Sequence, residues 1–62
     1  MNYTLCIEGK PDRKFLTLDQ AEHTIYKELG SVDKINDYLI RGKHTRRSYV
    51  CKKGKAMVMI EQ

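Results

Sequence analysis

Between Tyr38 and Ile60 the chain carries no Asp or Glu, and Arg41, Lys43, Arg46, Arg47, Lys52, Lys53 and Lys55 place seven permanent cations within fifteen residues. Guanidinium and ammonium groups at this density, with hydroxyl donors at Thr45 and Ser48 and the imidazole of His44 among them, are the groups that contact phosphate oxygens and displace condensed counterions. The charge is polarised along the chain. Residues 1–40 hold five Lys/Arg against seven Asp/Glu, a formal −2, and residues 41–62 hold seven against one, a formal +6, which sum to the net +4. A one-sided field steers and orients a polyanion, so nucleic acid is the expected partner, DNA ahead of RNA. RNA stands second because no aromatic-rich strand of the kind that stacks bases is evident. The competing explanation is a solvated face that keeps a small domain soluble.

No catalytic constellation accompanies the basic cluster. The sequence has no nucleophile elbow, no phosphate-cradling Gly-rich loop and no His-Glu-x-x-His helix, and its acidic pairs, Asp19 with Glu22 and Asp33 with Asp37, have ordinary solubilising spacing. A non-enzymatic protein with no catalytic residues and no cofactor is expected. Cys6 and Cys51 lie far apart, each inside an apolar alternating segment. With His23 and His44 they make four potential zinc ligands, but none is spaced as a local pair, so buried reduced thiols and no metal site are expected.

The elements that must position these residues come from a chain of 62 residues, read as one small α+β domain over 1–62. A chain of this size buries only roughly 60% of the surface its unfolded form exposes, which favours a monomer or weak homodimer of modest stability. No run approaches the ~18 apolar residues of a membrane span. Met1 leads directly into Asn-Tyr-Thr without the basic and apolar regions of a secretion signal, so a cytoplasmic protein with no membrane partner is expected.

Tyr3, Leu5 and Ile7 alternate with Thr4, Cys6 and Glu8, the period of a half-buried strand, and Gly9-Lys10-Pro11-Asp12 supplies a turn. Arg13–Leu16 can return as the second arm of a hairpin. Thr17-Leu18-Asp19-Gln20 fits a capping box, and Leu18, Ala21, Ile25 and Leu29 recur at intervals of three and four before Gly30, which predicts a helix over about 18–29. Ser31 then caps a second predicted helix, about 32–41, with Val32, Ile35 and Leu39 on one face and Gly42 as its stop. Residues 43–47 read as a basic loop. A C-terminal hairpin, about 48–52 and 56–60, turns at Lys52-Lys53-Gly54-Lys55. Strand or hairpin, two consecutive helices and a hairpin together form a winged-helix-like domain whose tip, with Lys53, anchors phosphates.

Tyr3-x-Leu5, Gly9-Lys10, Phe15-x-Thr17-Leu18-x-x-Ala21, Ile35-x-x-Tyr38-Leu39-x-x-Gly42-Lys43-x-x-Arg46 and Tyr49 resemble the small helix-turn-helix modules of phage and intron-encoded homing nucleases, the NUMOD type, over residues 3–52. The resemblance implies a phage or mobile-element protein whose second helix and basic loop contact DNA. It puts Lys34, Asn36, Arg41, Lys43, Arg46 and Arg47 at DNA-facing positions. With His44, Thr45, Lys52, Lys53 and Lys55 these form the expected nucleic-acid-binding set. The alternative is a phage-type inhibitor or adaptor that engages a host protein through its basic surface and the apolar strand Ala56–Ile60.

Overall fold

The computed structural model describes the backbone of residues 2–40 and 43–61 and, among these, all side chains but those of residues 40, 43, 44 and 61. Five strands and one helix follow in the order β1 (Asn2–Ile7), β2 (Arg13–Phe15), α1 (Leu18–Leu29), β3 (Val32–Ile40), β4 (Lys43–Cys51) and β5 (Gly54–Glu61). The strands make one sheet in the order β2-β1-β5-β4-β3, with every neighbouring pair antiparallel.

α1 starts where the backbone of Thr17 is still extended and its hydroxyl accepts from the Gln20 amide at 3.2 Å, satisfying one of the donors a helix start leaves unpaired. Gly30, at φ 79°, ends the helix by sending its own N–H to the Tyr26 carbonyl. The Leu29 and Ser31 carbonyls then accept from the amides of Lys53 and Lys52. This end of α1 is therefore tied to the β4–β5 turn, where Leu29 packs so closely that a Cβ on Gly54 would stand 3.4 Å from it. The stripe Ala21, Ile25 and Leu29 lies against Leu5, Ile7, Tyr49, Cys51, Ala56 and Val58, with Tyr3, Phe15 and Leu18 at its margin. One face of the sheet is covered and the other is open.

The second predicted helix does not exist. Residues 32–40 are strand β3, at the sheet edge and paired with β4, which replaces the helix-turn-helix and winged-helix arrangement by a five-stranded sheet with one helix. Intervals of three and four along Val32, Ile35 and Leu39 suit a helix, yet Val, Asp, Ile, Asn and Tyr fill most of the segment and all rank low for helix formation. In α1 the same spacing is carried by Leu18, Ala21, Ile25 and Leu29, and the low-ranking types are the minority there, Asp19, His23, Thr24, Ile25 and Tyr26 among twelve residues. The backbone of 32–40 instead completes a ladder with β4, at the cost of two irregularities, between Val32 and Lys34 and between Tyr38 and Leu39. At the second, Thr45 is the extra residue and its hydroxyl donates to the Tyr38 carbonyl at 3.2 Å, a bulge that increases local twist. Val32, Ile35 and Leu39 are not core: they are 37%, 47% and 56% exposed.

The predicted loop 43–47 is the first half of β4, and the C-terminal hairpin is part of the sheet rather than a free wing. β5 runs through the middle, paired with β1 on one side and β4 on the other. Val58 is fully buried, so the apolar run Ala56–Ile60 has no free edge to offer a partner. Among the described residues no helix is long and apolar enough to cross a membrane.

Candidate functional site

Because side chains alternate across a strand, the register assigns each basic residue to a face. Arg47 stands opposite the buried Val58, on the helix-covered side. Its Nε donates to Asp37 Oδ1 at 2.6 Å and its Nη1 to Glu22 Oε2 at 3.4 Å. Glu22 also accepts from the Tyr49 hydroxyl at 2.6 Å. The hydrogen bond to Asp37 raises the pKa of the Arg47 guanidinium, and burial followed by the bond to Glu22 raises that of the Tyr49 hydroxyl. Lys10 and Arg13 both bind Glu28, Lys10 at 2.5 Å, and these two hydrogen bonds hold the Glu28 carboxyl below its ordinary range. Cations on this side are matched by carboxylates from the helix and β3.

The open face is different. Arg46 pairs across with Met59 on β5 and Tyr38 on β3, Ser48 with Met57 and Asn36, and Val50 with Lys55 and Lys34. Cys6 and Thr4 of β1 continue these rows opposite Met57 and Met59, and Lys14 of β2 stands opposite Thr4. None of Lys14, Lys34, Arg46 and Lys55 makes an ion pair with a described residue. The Arg46 guanidinium lies 4.9 Å from the centroid of the Tyr38 ring, a cation–π contact that orders a long side chain while leaving its charge outward.

A shallow hollow of about 500 Å3 opens on this face, lined by Cys6, Asn36, Tyr38, Ser48, Lys55 and Met57 among others, with Glu8 at one end. The register explains it. Cys6, Ser48 and Asn36 are short and fall in one row with Met57, between a row carrying Met59, Arg46 and Tyr38 and a row carrying Lys55, Val50 and Lys34. Burial and then a hydrogen bond with Asp12 raise the pKa of the Cys6 thiol. Cys51 is buried on the opposite face, and burial raises it too. Both thiols are free, and among the described residues no group of three or more His, Cys, Asp or Glu is placed to hold a metal ion.

The expected nucleic-acid set is therefore divided. Lys34, Asn36, Arg46 and Lys55 share the open face, while Lys52 and Lys53 are exposed at the β4–β5 turn. Thr45 is used by the bulge and Arg47 by the ion pairs beneath the sheet. Arg41 lies outside the described residues, and Lys43 and His44 are placed only as backbone of β4. Sequence reasoning missed Tyr38, Ser48 and Met57 as neighbours in a hollow, and Glu22 as the partner of Tyr49 and Arg47. The residues of those last contacts are 27 and 25 positions apart, and no local spacing announces them. Comparison of the chain with protein-family models, curated proteins and solved structures finds no match in any of the three.

Proposed function

We propose that this protein is a non-catalytic DNA-binding module that meets the phosphate backbone with the open face of its sheet. The observation that carries this reading is the partition of charge. Cations on the covered face are neutralised by Asp37, Glu22 and Glu28, whereas Lys34, Arg46 and Lys55 on the open face have no carboxylate partner among the described residues. Lys52 and Lys53 are exposed at the β4–β5 turn, beside the C-terminal end of α1. An antiparallel sheet backed by a helix presents a stiff, twisted surface, and strands are an established way of approaching DNA. The helix-turn-helix that the resemblance over residues 3–52 implies is absent, and presentation of the basic residues falls to strands instead.

The test is a salt titration of binding to duplex DNA, single-stranded DNA and RNA, with the Lys34→Ala/Arg46→Ala/Lys55→Ala variant beside the parent chain. Removing three phosphate contacts should reduce the slope of log K against log salt by roughly three. Unchanged circular dichroism shows that the fold is retained. No measurable binding at low salt would refute the reading.

A second reading, an adaptor for a host protein, is favoured by one feature: β3 is an edge strand that exposes Val32, Ile35, Tyr38 and Leu39, and exposed apolar edges recruit strands from other chains. β3 rather than residues 56–60 would be the docking strand. Hydrogen exchange separates the two: the adaptor reading expects fast exchange in β3 that slows with a protein partner, and β5 amides should be slow in either case.

A further inference from the structure

The hollow on the open face has features that phosphate contact alone does not call for. Its floor is the row of short side chains Cys6, Ser48 and Asn36 with Met57 between the first two. Tyr38 stands at one border as the aromatic ring of this face, carrying Arg46 at 4.9 Å from its centroid, and Lys55 stands at the other border. A floor of Cys6 and Met57 with an amide and a hydroxyl, bordered by the Tyr38 ring with Arg46 on one side and by Lys55 on the other, is complementary to a flat heteroaromatic group with phosphates on either side, and the Glu8 carboxylate that also lines the hollow suits an N–H donor on that group rather than a phosphate. The volume of about 500 Å3 leaves room for one base lying against the floor, with its outer side open to solvent.

We infer that the hollow seats one unstacked nucleobase of single-stranded DNA, with Tyr38 as the stacking surface, Asn36 and Ser48 meeting the edge of the base, and Arg46 and Lys55 holding the flanking phosphates. This rests on the nucleic-acid reading above and adds the strand state of the ligand. A duplex keeps its bases stacked inside two phosphate rails, so it would rest on the rim cations and leave the floor unfilled. A single strand can turn a base outward at little cost and gain the stacking contact, and base–aromatic stacking is independent of sequence because every base has a π-face. Of the two aromatic residues that line the hollow, Tyr49 has its side chain in the core and Tyr38 is 46% exposed, so one base per protein is seated, and hydrogen bonds from Asn36 and Ser48 give a modest preference rather than a strict code.

The unstacked base is common to single-stranded DNA, single-stranded RNA and free nucleotides, so the experiment compares all three with duplex DNA of the same sequence by fluorescence anisotropy and competition. Single-stranded DNA should bind tightest. Tyr38→Ala should lower the ratio of single-strand to duplex affinity about tenfold, the effect of losing one stacked base. Ser48→Val, which fills the floor with a strand-forming side chain, should lower the same ratio and serves as the second variant if Tyr38→Ala fails to fold by circular dichroism. Three outcomes overturn the inference while leaving the parent reading standing: duplex bound as tightly as the single strand, both variants without effect on the ratio, or competition by the RNA or the free mononucleotide stronger than by the DNA strand. Absence of binding to any nucleic acid overturns both.

Discussion

The two faces of this sheet are built from the same strands, yet charge is handled on them in opposite ways. On the covered face Arg47, Lys10 and Arg13 are each held by a carboxylate from α1 or β3, and the interior behind them is sealed by Ala21, Ile25, Leu5 and Val58. On the open face Arg46 lies over the Tyr38 ring, and Lys34 and Lys55 make no ion pair with a described residue. Arg46 and Arg47, adjacent in sequence, thus have unrelated surroundings. The difference teaches that in a strand-borne basic cluster only every second cation is available to a partner, and the other half belongs to the fold.

The sharpest way to break this contrast is to truncate one residue from each side. Ile25→Ala or Leu5→Ala removes a fully buried side chain and should cost about 2–5 kcal/mol in urea denaturation, enough to unfold much of a small domain. Met59→Ala, on the open face at 41% exposure, should stay within about 0.5 kcal/mol. Equal losses would mean that the open face is covered.

The neighbouring arginines sharpen the contrast further. Arg46→Ala should leave the unfolding midpoint in place while reducing the salt slope of DNA binding by about one phosphate contact. Arg47→Ala should do the reverse, lowering stability by about 1 kcal/mol, an allowance for ion pairs partly open to solvent, with the salt slope unchanged. Exchange of these two phenotypes would overturn the assignment of faces.

The smallest effect is expected at the covered margin, where Lys10 and then Arg13 hold the Glu28 carboxyl below the ordinary carboxylate range. A carboxyl whose folded pKa is depressed adds stability that is fully present above its unfolded pKa and is lost as pH falls through the folded one. Glu28→Gln should therefore be slightly less stable than the parent at neutral pH. The gap in thermal midpoint should close on acidification below about pH 4.5. A gap that persists at lower pH would show that packing of the side chain, rather than its charge, matters there.

Parts of this fold are legible in the residues themselves. Thr17 with Gln20, the stripe through Ala21, Ile25 and Leu29, and Gly30 mark α1, because a cap, a 3.6-residue period and a left-handed stop are local properties. Tyr3–Ile7 and Ala56–Ile60 read as strands for an equally local reason. Residues 32–40 do not: their spacing fits a helix, and only the ladder offered by β4 turns them into an edge strand. The first half of β4 is hidden for another reason. Long charged side chains at Arg46 and Arg47 obscure an alternation that appears only when one is seen against Val58 and the other against Met59.

The sequence alone determined the position of α1, the strand character of Tyr3–Ile7 and Ala56–Ile60 and the concentration of positive charge after residue 40, since each depends on neighbours a few positions apart. The tertiary structure decided that β5 lies at the centre, that Arg47 is bound to Asp37 and Glu22 while Arg46 faces outward, and that short side chains from three strands align into a hollow. These are questions of register, and a shift of one residue in an antiparallel pairing moves every side chain of that strand to the other face. Pairing between segments tens of residues apart sets that register, so no local pattern contains it.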